Sequence, residues 1–175
     1  MKRVSSTLKR AVGPVLAAGL VVTALAAPAA AQTSGSTAFR VLGTAFLSAR
    51  AGAHNQMSVS VSDGRLILTD TTGVAVGPGC VRVSATSADC GSATTVGRLA
   101  IGMGDGNDSF QGTIAVRTTV DAGPGADTVA TGAGNDTIGV NDGVAGNDTV
   151  TCDGGSDVVS RDLGDTVAAD CERRY

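Results

Sequence analysis

Six aspartates in the C-terminal half of the chain each precede an apolar residue by two places. These aspartates are Asp108, Asp127, Asp136, Asp148, Asp157 and Asp165. In the three clearest copies, 104–108, 123–127 and 132–136, glycines lie two and four places before the aspartate. Glycine tolerates positive φ because it has no Cβ, so the pattern predicts tight turns that carry carboxylates. Carboxylates repeated in this way could bind cations.

The apolar residues that follow the aspartates recur with a short period. They are Phe110, Val120, Val129, Ile138, Val150, Val159 and Val167, at spacings of 10, 9, 9, 12, 9 and 8 residues. The copy that ends at Val120 has Thr118 in place of the aspartate. A period near nine residues is too short for a helical repeat and is typical of a parallel β-solenoid. Each Asp-x-apolar segment has room for a strand of about three residues, so we expect two strands and two turns per coil.

Alternate loops of such a solenoid would stack on the same side. One side would carry Asp108, Asp127, Asp148 and Asp165, and the other would carry Thr118, Asp136 and Asp157. Neighbouring parallel strands lie about 4.8 Å apart, and two bare charges at that distance repel by roughly 3.5 kcal/mol at an effective dielectric constant of about 20. A cation between the carboxylates would remove this repulsion, and a set of carboxylate and carbonyl oxygens suits Ca²⁺. The alternative is a metal-free solenoid in which the aspartates form Asx-turns.

These repeats resemble the RTX (repeats-in-toxin) nonapeptides, or hemolysin-type calcium-binding repeats, whose unit is G-G-x-G-x-D-x-U-x with U a large apolar residue. The best match runs from Thr131 to Gly139, with Thr131 in place of the first glycine. The resemblance implies an all-β, right-handed parallel β-roll, or β-solenoid, with Ca²⁺ between the loops of successive coils. It implies carboxylate ligands at Asp108, Asp127, Asp136, Asp148 and Asp157, and a further candidate at Asp165 after a shortened loop. The loop backbone would contribute at Gly104, Gly106, Gly123, Gly125, Gly132, Gly134, Gly146 and Gly155.

Residues 1–31 have the pattern of a secretory signal. A basic start with four Lys and Arg residues precedes an apolar run over 12–27 and small residues at 29–31. We expect cleavage near Ala31–Gln32; the alternative is an uncleaved membrane anchor, because the apolar run approaches spanning length. No other stretch is long and apolar enough to span. The sequence therefore predicts a secreted, extracellular protein that is not bound to a membrane after cleavage.

The remaining chain divides by composition into three parts. Residues 32–38 are small and polar and predict a disordered leader, and 39–100 predict a β-rich, metal-poor solenoid or sheet section that caps the repeats. In this section apolar residues alternate with polar ones between turn residues, which is typical of strands. A helix over 45–53 is an alternative, because this stretch has fair helix propensity. Residues 101–172 are the predicted calcium-binding part.

Four cysteines in a secreted chain predict two disulfides. Of the three possible connectivities we favour Cys80–Cys90 with Cys152–Cys171, since the second pair is separated by 19 residues, which is about one coil. A zinc site formed by all four cysteines is the competing interpretation. Neither pair has the gap of about two to four residues that is usual in such sites.

Composition and motifs argue against several classes of protein. The sequence pI of 4.9 disfavours a nucleic-acid partner. His54 is the single histidine, which excludes a two-histidine metal centre within one chain, and no G-x-S-x-G nucleophile elbow occurs. We therefore expect a non-catalytic, calcium-binding protein that folds or stiffens in extracellular Ca²⁺. Alternatives are an adhesion or surface-recognition module, whose partner the sequence does not identify, and an accessory domain of a secreted hydrolase.

Overall fold

The computed structural model describes residues 35–175, which form an all-β structure. The strands are β1 (Ser36–Val41), β2 (Thr44–Ala49), β3 (Gln56–Ser62), β4 (Arg65–Asp70), β5 (Val74–Val76), β6 (Val81–Arg82), β7 (Ser87–Ser92), β8 (Arg98–Gly102), β9 (Ser109–Gly112), β10 (Thr118–Asp121), β11 (Thr128–Ala130), β12 (Thr137–Gly139), β13 (Thr149–Thr151), β14 (Val158–Ser160), β15 (Thr166–Val167) and β16 (Arg173–Arg174). A 3₁₀ turn at Ala93–Thr95 is the one helical element of this part of the chain.

The strands belong to two sheets, which we call sheet 1 and sheet 2. Sheet 1 has the order β16-β14-β12-β10-β8-β2-β1-β5, and sheet 2 has the order β15-β13-β11-β9-β3-β4-β7-β6. From β8 onwards the chain enters the two sheets alternately, so every second strand pairs in parallel with the next strand of its own sheet. The predicted all-β class and the parallel pairing of the repeats are confirmed.

The apolar residues of the repeats stack in register inside the two sheets. In sheet 1, the pairing aligns Ile101, Val120, Ile138 and Val159. In sheet 2, it aligns Phe110, Val129, Val150 and Val167. The first seven of these side chains are nearly inaccessible to solvent, and Val167 packs against the same hydrophobic cluster. Strands β11 to β14 have three residues each, as expected, and each contributes one inward side chain. Residues just after the strands, Ala122, Val140 and Cys152, are buried in the same narrow core.

The section before the repeats consists mainly of hairpins. Strands β1 and β2 pair antiparallel, as do β3 and β4, and β7 adds antiparallel to β4. The β3–β4 turn has positive φ at Asp63 (50°) and Gly64 (73°), which is typical of a tight two-residue hairpin turn. Residues 39–100 thus contain β-strands, and the hairpin arrangement differs from the parallel solenoid coils that were one expectation for this section.

The hairpin section and the repeats share their sheets. Strand β2 pairs in parallel with β8, and β3 pairs in parallel with β9. Leu47 is therefore aligned with Ile101, and Met57 with Phe110, so the two buried rows continue without interruption into the hairpins.

Two predictions for the N-terminal part of the chain need correction. The disordered leader predicted over 32–38 is wrong from Ser36 on, because Ser36 begins β1 and pairs with both β2 and β5. The alternative helix over 45–53 is wrong, because Thr44–Ala49 forms β2. The predicted signal peptide (1–31) and residues 32–34 lie outside the described residues.

Both favoured disulfides, Cys80–Cys90 and Cys152–Cys171, are present, and no described cysteine is free.

The core of the hairpin section gives a test of packing. Leu68 is fully buried opposite Val59. Leu68→Ala should lower the free energy of unfolding by about 2–5 kcal/mol, because it removes apolar contacts and leaves a cavity. Urea denaturation would measure the change. Leu163→Ala is the matched control, since Leu163 is 87% exposed and its truncation should change stability by less than about 0.5 kcal/mol. Equal losses in the two variants would contradict this arrangement of the core.

Candidate metal centre

The loops between the sheets place the predicted carboxylates in two rows. Each row follows the strands of one sheet, because every carboxylate lies at or just before the start of a strand. Row 1 precedes the strands of sheet 2 and consists of Asn55, Asp108, Asp127, Asp148 and Asp165. Row 2 is formed at the strands of sheet 1 and consists of Thr118, Asp136, Asp157 and Glu172. The two predicted stacks are thus brought together as expected, and each gains one residue.

Within each row, the backbone N–H of one member donates to the side-chain carboxylate of the next. The N···O distances in row 1 are 2.6 Å from Asn55 to Asp108, 2.9 Å from Asp108 to Asp127, 2.8 Å from Asp127 to Asp148 and 3.4 Å from Asp148 to Asp165. In row 2 they are 2.7 Å from Thr118 to Asp136, 2.8 Å from Asp136 to Asp157 and 2.8 Å from Asp157 to Glu172. Each carboxylate therefore reaches back to the preceding loop on its side of the molecule.

Five of these carboxylates use only one of their two oxygens. The Oδ2 atoms of Asp108, Asp127, Asp136, Asp148 and Asp157 are buried and have no hydrogen-bond partner. The five side chains are between 0% and 3% exposed. A buried carboxylate oxygen without a partner is energetically costly. Five such atoms lie at equivalent positions along the two rows.

Burial without a counter-charge also affects the titration of these groups. Desolvation raises the pKa of all five carboxyl groups above the usual range. The pKa of Asp127 rises to about 7, mainly by burial and additionally by the negative charges of Asp108, Asp148 and Asp142. The hydrogen bond from the Asp108 N–H opposes this rise but does not cancel it. The rows therefore favour either a proton or a metal cation.

Backbone carbonyl oxygens approach the same loops closely. A Cβ on residue 125 would collide with the carbonyl oxygen of Gly106, and a Cβ on residue 155 would collide with that of Gly134. Gly125 and Gly155 have φ of 153° and 143°, so both clearance and conformation require glycine there. The carbonyl of one loop is thus packed against the next loop of the same row.

The third glycine pair differs from the sequence prediction. Gly132 and Gly134 were expected to have positive φ, but neither is among the positive-φ glycines of the described chain. Their requirement is steric, because a Cβ at 132 would lie 2.6 Å from the Ile114 carbonyl oxygen and one at 134 would lie 2.7 Å from that of Val116. Close approach, rather than backbone conformation, therefore selects glycine in this loop.

The donor set fits a hard, oxygen-preferring cation. Free carboxylate oxygens beside packed carbonyls are the ligand type that Ca²⁺ takes. Among the described residues, three or more His, Cys, Asp or Glu side chains bring their ligand atoms within 4.8 Å of one another at one place, Cys152, Asp170 and Cys171, which lies outside the two rows. Its two sulfurs are joined in a disulfide, so they cannot act as thiolates, the form in which cysteine binds metals.

Two of the predicted positions in row 1 differ from the others. Asp165 has no free oxygen, since Oδ1 accepts from the Gly146 N–H at 3.1 Å and Oδ2 accepts from the Asp162 N–H at 2.8 Å. Before Asp148, the longer spacing lets Asn147 reach the preceding loop, where its Nδ2 donates to the Gly125 carbonyl. Asp165 therefore has no oxygen free for a further ligand, and Asn147 already contacts a carbonyl oxygen of the loop before Asp148.

Two members of the rows were missed by sequence reasoning. Glu172 accepts from the Asp157 N–H, but it precedes Arg173 and Arg174, so no apolar residue marks it as a repeat. Asn55 donates its N–H to Asp108 and is followed two places later by Met57, which is the same spacing with asparagine in place of aspartate. A search for Asn-x-apolar as well as Asp-x-apolar would have found Asn55.

The single histidine lies in the loop that carries Asn55. His54 is exposed, as expected, and its Nδ1 accepts a hydrogen bond from the Asn107 N–H at 2.8 Å. The ring therefore links this loop to loop 103–108.

The chain matches no protein-family model, no curated protein and no solved structure. In the part that the structure describes, no helix has the length and apolar character needed to cross a membrane. The geometry of the two rows is therefore the basis for assigning a function.

The raised carboxyl pKa values predict an unusual pH dependence in chelator. Since the folded-state pKa of Asp127 is about 7 and the ordinary value is 3.8, the folded state binds more protons than the unfolded state between these values. Stability should therefore fall as the pH rises from about 4 to about 7 and level off above that. Urea denaturation in chelator across this range would measure the slope.

A pair of isosteric variants isolates the contribution of Asp127. Asp127→Asn should reduce the slope, because the neutral amide removes one raised pKa from the folded state. Asp63→Asn, in an exposed turn, should leave the slope unchanged. A metal-free protein whose stability rises with pH through this window would contradict the buried, unpaired state of the row carboxylates.

Proposed function

We propose that this chain is a secreted, non-catalytic calcium-binding protein whose repeats form a β-roll of the RTX type. The observation that carries the proposal is the set of five buried aspartate Oδ2 atoms without partners, repeated along two in-register rows. The stacked glycine loops, which bring carbonyl oxygens close to the same rows, support it. The two disulfides are compatible with an extracellular location.

Three calcium sites follow from the aspartates that have a free Oδ2 atom and lie against a preceding glycine-containing loop. Asp127 and Asp148 would hold ions in row 1 against loops 103–108 and 122–127, and Asp157 would hold one in row 2 against loop 131–136. Each carboxylate keeps its hydrogen bond through Oδ1 and offers Oδ2. The bound Ca²⁺ would supply the positive charge that the buried rows lack.

Asp136 and Asp108 also have free Oδ2 atoms, but their preceding loops are different. Asp136 faces loop 113–117, which contains no acidic residue, and the row continues there through the Thr118 N–H. Asp108 faces the hairpin section rather than a repeat. With these two positions the chain has room for three to five ions.

Cation binding should be coupled to folding of the repeats. Residues 102–172 contain thirteen acidic residues and two basic ones, Arg117 and Arg161. Each strand buries one medium-sized side chain in the narrow core, while every ordered residue costs about 1–2 kcal/mol of backbone entropy. An ion that binds the folded rows removes the repulsion between carboxylates and adds free energy that exists only in the folded state.

Calorimetric titration of chelator-treated protein tests the metal assignment. We expect Ca²⁺ to bind at three to five sites, with affinities between about micromolar and about millimolar, and Mg²⁺ to bind more weakly because it demands a tight octahedral site. Asp157→Asn should weaken one site by at least the roughly 10-fold that loss of an outer-shell partner costs. The amide can still accept the hydrogen bond from Asp136, so the ladder is kept.

Asp63→Asn serves as the control for charge, since Asp63 lies in the exposed β3–β4 turn. It should bind the same number of ions as the unchanged protein. Absence of any calcium heat, or equal binding of Mg²⁺, would overturn the calcium assignment.

Hydrogen exchange tests the coupling between metal and folding. Amides near Ile138 and Val159, which pair β12 with β14 between rows of carboxylates, should exchange slowly in Ca²⁺ and rapidly in chelator. Amides of β3 and β4, which belong to a longer antiparallel hairpin, should remain protected in both conditions. If exchange around Ile138 is equally slow with and without chelator, folding of the repeats does not depend on the cation.

A further inference from the structure

The loop 50–55 of the hairpin section stacks on loop 103–108 as the repeats stack on one another. The Asn55 N–H donates to Asp108 Oδ1 at 2.6 Å, which continues the hydrogen-bond ladder of row 1. The Gly52 N–H donates to Asp105 Oδ1. A Cβ on Gly106 would lie 2.5 Å from the Ala53 carbonyl oxygen, so this carbonyl is packed against the next loop like those of the repeats.

The side chain of Asn55 has a fixed orientation. Its Nδ2 donates to Asp70 Oδ2 at 2.7 Å and to Thr72 Oγ1 at 3.2 Å. Asp70 is held in turn, since its Oδ1 accepts from the N–H and the hydroxyl of Thr72 at 3.0 and 2.7 Å. The amide cannot be flipped by 180°, because its oxygen would then face the Asp70 carboxylate. Asn55 Oδ1 is therefore directed away from Asp70 and Thr72.

Two oxygens at this junction are buried and have no partner. Asn55 is 1% exposed and Asp108 is 3% exposed, and neither Asn55 Oδ1 nor Asp108 Oδ2 accepts a hydrogen bond. Buried polar atoms in folded proteins nearly always have a partner. A neutral amide oxygen and a carboxylate oxygen, both unpaired beside one loop, point to a ligand that accepts electron pairs from both.

The charge of the junction indicates a cation. Three carboxylates contact loop 50–55, those of Asp70, Asp105 and Asp108. Loop 50–55 also contains two basic residues, Arg50 and His54. In the described part of the chain the one salt bridge joins Arg65 to Asp89, so neither of them forms an ion pair with the three carboxylates.

We propose that the ion at the Asp108 position lies between loops 50–55 and 103–108 and is shared with the hairpin section, with Asn55 Oδ1 and Asp108 Oδ2 as side-chain ligands. The packed carbonyl of Ala53 is a third oxygen at the same junction. Asparagine and backbone carbonyl oxygens are ordinary Ca²⁺ ligands. This proposal rests on the proposed function of the rows, and it extends that function into the section that the sequence predicted to be metal-poor.

Calorimetric titration of the full chain with CaCl₂ tests this site through substitution of Asn55. Asn55→Ala should bind one ion fewer than the unchanged protein, because it removes the amide oxygen. Asn141→Ala is the matched control, since Asn141 is exposed, and it should bind the same number of ions as the unchanged protein.

A second measurement needs no substitution and covers the case in which Asn55→Ala does not fold. In the unchanged protein, addition of CaCl₂ should shift the ¹³C resonance of the Asn55 side-chain carbonyl. If the protein binds Ca²⁺ but this resonance stays constant, or if Asn55→Ala keeps the full number of ions, the site shared with the hairpin section is refuted and the sites between the repeats stand. Absence of all calcium binding would instead refute the proposed function and this inference together.

Discussion

The hydrogen bond from a loop N–H to the carboxylate of the next loop in its row is the interaction on which the structure depends. It fixes one carboxylate oxygen of each buried aspartate and aligns consecutive strands, as between Asp127 and Asp148. It also determines that the second oxygen, Oδ2, is buried without a partner. A buried anion in this state shifts its pKa upward or recruits a counter-charge. The same contact therefore specifies the strand register and leaves each buried carboxylate in a state that favours a proton or a cation.

The narrowness of the structure follows from the way the loops approach one another. The Gly106 carbonyl occupies the space that a Cβ at position 125 would need, so glycine is required wherever one loop lies directly on another. A coil built from such loops has two short strands and buries one side chain from each, for example Val129 and Ile138. Phe110 is the one aromatic side chain in the aligned rows, so the core needs few aromatic residues, in keeping with a chain that has three Phe and no Trp. Because each coil buries little apolar surface, the hydrogen bonds and charges of the two carboxylate rows contribute a larger share of the stability.

The repeats could be predicted from the sequence because the Asp-x-apolar spacing determines three structural features at once. An aspartate two places before an apolar residue specifies the loop, the inward side chain and the next strand, so both rows and their register followed from it. Predictions failed where the spacing holds but the residue type changes, as at Asn55, or where no apolar residue follows, as at Glu172. The strand at Ser36 was missed because small polar residues carry no hydrophobic signal. Its order comes from pairing on both sides, with β2 and β5.

The hairpin section provides a stable sheet edge that the repeats alone do not have. A parallel strand of three residues buries little apolar surface, so the first strands of the repeats have no adequate partner unless a stable edge is already present. Strands β2 and β3 provide that edge, since each is held in an antiparallel hairpin and offers its other side to β8 or β9. Antiparallel hairpins form from contacts close in sequence and need no ion in their ladders. The hairpin section is therefore suited to serve as a template on which the acidic repeats are added in register.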